Sequence, residues 1–405
     1  MPVTGFRATD EIRSPSLRED RRTAVTNRLA CLSLLFAFLL CGPLLAQNNT
    51  KQTRTKKKKS YVKIEGVGPV NIRATFRIEN NDKVFYGRPI GQDNRSVALL
   101  RWDGRVEVLP KQSRYEVFSK GFAPYTHDEI KKRMEKQYGN RYQVQTSKHF
   151  VVVHPRTNRR QWAKQYEAVY RQYESWFKKR GITIAEPQFP LIVVVLGSRT
   201  EFDRALVGQA LFKKDVFGFY ARPSNRVTTF VSNDPRLQRQ VERVANLTVI
   251  HEAIHQIAFN TGVHNRLCKV PRWTSEGFAM LFESSGFRRD PPKDDITDRV
   301  NRRRLQTLKK SFVTGRATGQ LENIIRNDRV FVSNPEMAYG LAWGLSFYLA
   351  EKEKDKYLDF VIKDSSQNEF GNYTPSERMK LFLETFKTDP KTLEKRLQKF
   401  ILAIP

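Results

Sequence analysis

His251-Glu252-Ala253-Ile254-His255-Gln256, followed by Pro271-Arg272-Trp273-Thr274-Ser275-Glu276-Gly277, is the stretch from which the rest of the chain is read. Residues four apart on a helix share a face, one turn from each other, so the imidazoles of His251 and His255 can converge on one metal ion. Glu252 is rotated by roughly 100° from His251. From there a carboxylate reaches water at the metal without becoming a ligand, as a general base requires. Leu247, Ile250, Ile254, Ile257 and Ala258 recur at helical spacing, which predicts a helix whose histidines lie beside an apolar stripe and face a cleft. The rival reading is a chance match on an amphipathic helix.

Two histidines leave a catalytic zinc one protein ligand short. The metzincin pattern fails, because Ala258 stands in place of its glycine and Thr261 in place of its third histidine. Glu276 is the better third ligand. It lies 21 positions after His255, beyond a loop containing Gly262 and Pro271, at the start of a second predicted helix. Gly277 directly after it removes a side chain where two helices must approach closely. The rival reading of Glu276 is an ordinary carboxylate favoured by a helix N-terminus. His264 and Cys268 lie in the intervening loop, and nothing in their spacing selects them as ligands. Glu283 shares a face with Glu276; it either orients a ligand from behind or is solvated, and solvation is the expectation.

Together HEAIHQ and PRWTSEGFAMLFE resemble the gluzincin group of zinc peptidases, and within it the peptidase MA-like family, whose pattern is a HExxH helix followed by a W-x-x-E-G helix. The resemblance is specific over about residues 250–283 and looser over about 148–403. It implies Zn2+ held by His251, His255 and Glu276, with Glu252 as base. It also implies an edge strand along the cleft, to which an extended peptide can add, and Thr228 to Ser232 is the candidate. A second donor to the oxyanion is often a tyrosine or histidine on a later helix in that group. Tyr339, in Ala338-Tyr339-Gly340-Leu341-Ala342-Trp343, is the candidate; its rival role is a packed core tyrosine.

Toward the N-terminus, Leu29 to Leu40 is an apolar run preceded by Arg21, Arg22 and Arg28 and followed by Gly42-Pro43-Leu44-Leu45-Ala46, the anatomy of a secretory signal. Cleavage after Ala46 would leave Cys268 as the sole thiol and exclude an intrachain disulfide. Leu44 is bulky for a cleavage site, so an uncleaved membrane anchor is the second reading. Neither Cys41 as a lipoprotein site nor Arg21-Arg22 as a twin-arginine signal fits its neighbours. The formal charge of +30 would ordinarily point to nucleic acid. Behind an export signal, anionic envelope polymers, lipid headgroups or acidic substrates are the better partners for a basic surface.

Residues 47–60, with the run Lys56 to Lys59, are too charged to pack and read as a basic linker. Residues 61–120 alternate as short strands, including Ile72 to Ile78 and Val106 to Val108, with turns at Asn80-Asn81-Asp82 and Asp103-Gly104. They form a predicted small β-barrel or sandwich. A helix from His127 to Tyr138, capped by Thr126 and stopped by Gly139, makes 121–147 a connector. From 148 onward the pattern is strand, helix, strand, then mostly helix. His149 to His154 and Leu191 to Leu196 are predicted strands, Phe217 to Ala221 and Val227 to Val231 a hairpin, and Met337 to Glu351 and Leu393 to Ile401 helices. Trp162, Tyr166, Val169, Tyr170, Tyr173, Trp176 and Phe177 share one helical face and are predicted core.

The expectation is therefore an α+β chain. It comprises a leader or anchor (1–46), the linker, an all-β module, the connector, and a zincin-like domain (148–405) acting as an exported zinc metallopeptidase on a protein or peptide substrate. The alternative is a non-catalytic, zinc-containing envelope-binding protein. The intact Glu252 argues against it, since a structural zinc has four closed ligands and needs no base.

Overall fold

The computed structural model describes residues 68–69, 73–207, 216–231, 235–289, 295–369 and 371–405. The expected leader and basic linker lie outside the described residues. An all-β region comes first, a mixed sheet with helices next, and a helical part last. Six strands open the chain: β1 (Gly68–Pro69), β2 (Thr75–Asn80), β3 (Lys83–Gln92), β4 (Ser96–Leu100), β5 (Val106–Pro110) and β6 (Arg114–Ser119). They form one antiparallel sheet in the order β5-β4-β3-β2-β6, with β1 on β3. The β2–β3 turn places Asn81 and Asp82 at positive φ, which short polar residues tolerate best. Phe76, Ile78, Val97, Leu99, Leu109 and Tyr115 make a core of this region's own.

The next elements are α1 (His127–Tyr138), β7 (Tyr142–Thr146), β8 (Phe150–Pro155), α2 (Trp162–Lys178), β9 (Leu191–Leu196), α3 (Arg199–Leu206), β10 (Gly218–Ala221), β11 (Arg226–Phe230) and α4 (Pro235–Ala258). α1 starts with a full capping box between Thr126 and Glu129 and stops at Gly139, φ +64°, as its sequence predicts. The five strands align as β10-β11-β9-β8-β7. β8, β9 and β11 run parallel, and the two outer strands antiparallel. A central strand is covered on both faces, which is why Leu191–Leu196 is apolar throughout. Leu191, Val193 and Val195 meet α2 and α4, whereas Ile192, Val194 and Leu196 meet Ile130 and Met134 of α1 and Phe202 of α3. The aromatic face of α2 is buried from Trp162 to Phe177.

Two expectations change here. Residues 121–147 are not a mere connector, because α1 packs on this sheet and Tyr142–Thr146 is its outer strand. Thr228–Phe230 is not an edge: β11 pairs with β9 on one side and β10 on the other, and Ser232 lies outside the described residues. The hairpin folds so that its first strand, β10, takes the margin beside α4.

The helical part contains α5 (Arg272–Leu281), α6 (Ser285–Arg288), α7 (Ile296–Arg299), α8 (Arg302–Val313), α9 (Gln320–Arg326), α10 (Val330–Ser333), α11 (Pro335–Lys352), α12 (Lys354–Asp364), α13 (Pro375–Phe386) and α14 (Pro390–Ala403). α11 is buried on nearly every side and α5 lies against it. Among the described residues no helix is long and apolar enough to cross a membrane. A buried carboxyl ties α5 to the helices behind it: Asp364 accepts from Thr274 Oγ1 at 2.5 Å and from Tyr373 Oη at 2.7 Å. Burial pushes Asp364 up to about 6 from 3.8, against the pull of both donors and of Arg378.

A raised folded-state pKa means that this group's contribution is fully present below the unfolded pKa of 3.8 and is lost as pH rises through about 6. Asp364→Asn cannot ionise. Between about pH 4.5 and about pH 7.5, urea unfolding should show its stability gaining on wild type by about 2 kcal/mol. Parallel stability profiles would show that Asp364 is not a buried, reluctantly charged group.

Candidate metal centre

α4 presents its histidines because its other face is committed. Val249, Ala253, Ile254, Ile257 and Ala258 are buried in the main core, whereas Leu247, expected in the stripe, is 43% exposed. Gln256 Nε2 donates to the carbonyls of Ile192 and Asn225, at 3.0 and 2.8 Å. Asn225 and Asn260 exchange side-chain amide hydrogen bonds of 2.9 and 2.8 Å. The end of α4 is thereby pinned to the β10–β11 turn, where Asn225 takes φ +56°. With that end fixed, the Nε2 atoms of His251 and His255 lie 3.1 Å apart.

α5 supplies the third group. Its first residue, Arg272, donates its N–H to Asp328 Oδ1 at 3.0 Å, and Trp273 is buried against Phe360 and Phe382. Glu276 Oε2 reaches 3.1 Å from His251 Nε2 and 3.6 Å from His255 Nε2. Gly277 makes this placement possible. A Cβ there would stand 2.6 Å from the Ala342 carbonyl and collide with Ser346 Oγ on α11, which is the close helix approach expected from the sequence. His251, His255 and Glu276 can hold one metal ion, with ligand atoms within 4.8 Å of one another.

Glu283 is not solvated, contrary to expectation. Its Oε1 lies 2.8 Å from His251 Nδ1 and its Oε2 accepts from Asn301 Nδ2 at 2.6 Å. Asn301 also caps α8, its Oδ1 accepting from the Arg304 N–H at 3.2 Å. A carboxylate only accepts, so His251 carries hydrogen on Nδ1 and turns Nε2 toward the centre. Burial opposes charge on Glu283, yet His251, Arg304 and Asn301 hold its carboxyl below the usual range. Burial likewise opposes a charged His251, but Glu276 and Glu283 hold its imidazole well above the usual histidine range. The imidazoles in turn hold Glu276 well below the usual carboxylate range, despite burial. The field thus favours a cation at Nε2, where three donor atoms meet.

Glu252 sits on the other side of the histidines. Burial pushes its carboxyl up, with the imidazoles and a hydrogen bond from the Tyr220 backbone amide pulling the other way. Tyr220 belongs to β10, and Gly218 on the same strand leaves the space that Thr248 and the Glu252 stem occupy. The edge strand therefore runs along the carboxylate. Tyr339 is half-buried; its oxygen accepts from Arg272 Nη2 at 3.1 Å. The charge of Glu276 first, then burial, raises its pKa and keeps it protonated.

The loop groups stay apart, as expected. His264 is buried, bonded to Ser365 Oγ at 2.7 Å and pushed down to about 3 by burial, and the buried Cys268 thiol is pushed up to about 11. Sequence reasoning missed Asn301 and Arg304 altogether. The cap position of Asn301 at the head of α8 was the only local signal.

Residues 245–370 match the family described as "Protein of unknown function (DUF1570)". The match spans His251, Glu252, His255, Glu276, Glu283, Asn301 and Tyr339, so it contains the whole centre. No curated protein matches the chain.

Gly277→Ala should force α5 away from the Ala342 carbonyl, which is backbone and cannot yield locally. The expected loss is about 1–3 kcal/mol of unfolding free energy, read by denaturant melts. Unchanged stability would mean that the two helices do not meet at Gly277.

Proposed function

We propose that this chain is a zinc metallopeptidase of the gluzincin type that hydrolyses peptide bonds in a protein or peptide substrate. His251, His255 and Glu276 hold the ion and Glu252 is the base. The observation that carries the reading is the spacing of the three donor atoms, 3.1, 3.1 and 3.6 Å. Ligands around a tetrahedral zinc, each about 2.0–2.2 Å from it, stand roughly 3.3–3.6 Å from one another. The donor chemistry fits as well, because two imidazoles and one carboxylate are the set a catalytic zinc takes while keeping a fourth position open. When bound, the ion supplies Lewis acidity to a carbonyl and lowers the pKa of water beside it.

The protein's own groups account for the proton transfers. Glu252 takes a proton from the attacking water on its carboxylate oxygen and passes it to the leaving amine. The Glu252 stem packs beside Gly218 of β10, and a peptide added to this edge as an extended strand brings its backbone to the base. The Tyr339 oxygen already accepts from Arg272, which leaves its hydrogen for the oxyanion. Glu283 and Asn301 keep His251 turned inward. A base beside three ligands favours catalysis over the non-catalytic envelope-binding alternative. The exported location rests on the leader, Leu29 to Leu40.

Glu252→Gln should retain about one zinc per chain, because the residue is not a ligand. Hydrolysis of casein-type substrates should fall by roughly two to four decades, and chelation should abolish it in wild type. Full activity in the variant would remove the mechanism.

A further inference from the structure

Two guanidinium groups, Arg272 and Arg304, stand beside the metal centre, and among the described residues neither makes a direct ion pair, although Glu283 acts on Arg304 from farther away. Among the described residues, Arg272 makes its side-chain contacts with the Tyr339 hydroxyl at 3.1 Å and with the rings of Phe331 and Tyr339. Arg304 lies over the same Tyr339 ring, 5.2 Å from its centroid. Two other withdrawn arginines are paired, Arg299 with Glu351 at 2.8 Å and Arg378 with Asp328 at 3.0 Å. Withdrawing a guanidinium from water without an anion is costly, and burial lowers the Arg304 pKa, with Glu283 opposing. The two residues occupy the first turns of α5 and α8, whose N-terminal ends add partial positive charge.

The free faces of Arg272 and Arg304, both half-buried, are where an anion fits. A planar fork of N–H donors matches a carboxylate best.

Building on the peptidase reading, we infer that Arg272 and Arg304 form a carboxylate pocket beside the Tyr339 ring. It selects peptides that carry a free carboxylate close to the scissile bond. The carboxylate comes either from a C-terminal residue or from an acidic side chain. Arg272 and Arg304 are then specificity residues, contacting substrate but moving no proton.

The test uses the full chain carrying Glu252→Gln, loaded with zinc, and one pooled fluorescent peptide library in three forms. The first form has free C-termini without acidic residues, the second has amidated ends with Glu, and the third has amidated ends with Gln. The first or second form should bind about 10- to 100-fold tighter than the third, and which of them does so identifies the source of the carboxylate. Arg304→Gln should erase the preference, with the melting temperature recorded to confirm folding. Arg304→Lys should restore only part of it, because an ammonium lacks the fork. Equal binding of all three forms, or no saturable binding by any, overturns the pocket. Hydrolysis of casein by wild type, measured alongside, keeps the two readings separate: hydrolysis without preference rejects the pocket alone, and preference without hydrolysis rejects the peptidase alone.

Discussion

The position of one imidazole decides whether this centre exists. His251 lies between Glu283 at Nδ1 and Glu276 at Nε2, so its ring can neither rotate nor exchange its nitrogens without losing a charge-assisted hydrogen bond. That arrangement draws on three helices. α4 carries the histidine, α5 carries Glu276 and leads to Glu283, and the head of α8 holds Glu283 through Asn301. The convergence needs α5 and α11 at nearly backbone contact, which Gly277 allows. It also needs α4 held to the sheet, which Gln256 and the Asn225–Asn260 pair provide.

The convergence of His251, His255 and Glu276 was legible because its signals are local. HExxH is a statement about helix periodicity, and the glycine after Glu276 announces a close approach. The cap of α1, the two-sided burial of Leu191–Leu196 and the aromatic face of α2 were legible for the same reason: each depends on spacing within one element. The misreadings all concern relations between elements. Glu283 reads as solvated because its partners, His251 and Asn301, are 32 positions before it and 18 after it. The hairpin was recognised, but which of its strands would reach the margin is set by the parallel pairing of β11 with β9. Residues 142–146 are too short to declare that they join the sheet. Leu247 satisfies helical periodicity, yet it lies beyond the reach of the core.

Electrostatics then separate the two ends of the site. On the β10 side, the half-buried Glu252 side chain lies against Gly218; on the α8 side, arginines crowd around a tyrosine. On the peptidase proposal, a substrate between them would meet a proton acceptor at one end and cations at the other, an asymmetry that would orient it. The net charge of the whole chain, +30, acts at longer range and attracts anions in general.

X-ray anomalous scattering at the zinc absorption edge, from crystals of the protein grown with stoichiometric zinc, tests the central claim most directly. The account predicts one peak about 2.0–2.2 Å from His251 Nε2, His255 Nε2 and a Glu276 carboxylate oxygen, with His251 Nδ1 still on Glu283. A peak elsewhere with this centre empty, or a metal bound through His251 Nδ1 with Glu283 displaced, would contradict it.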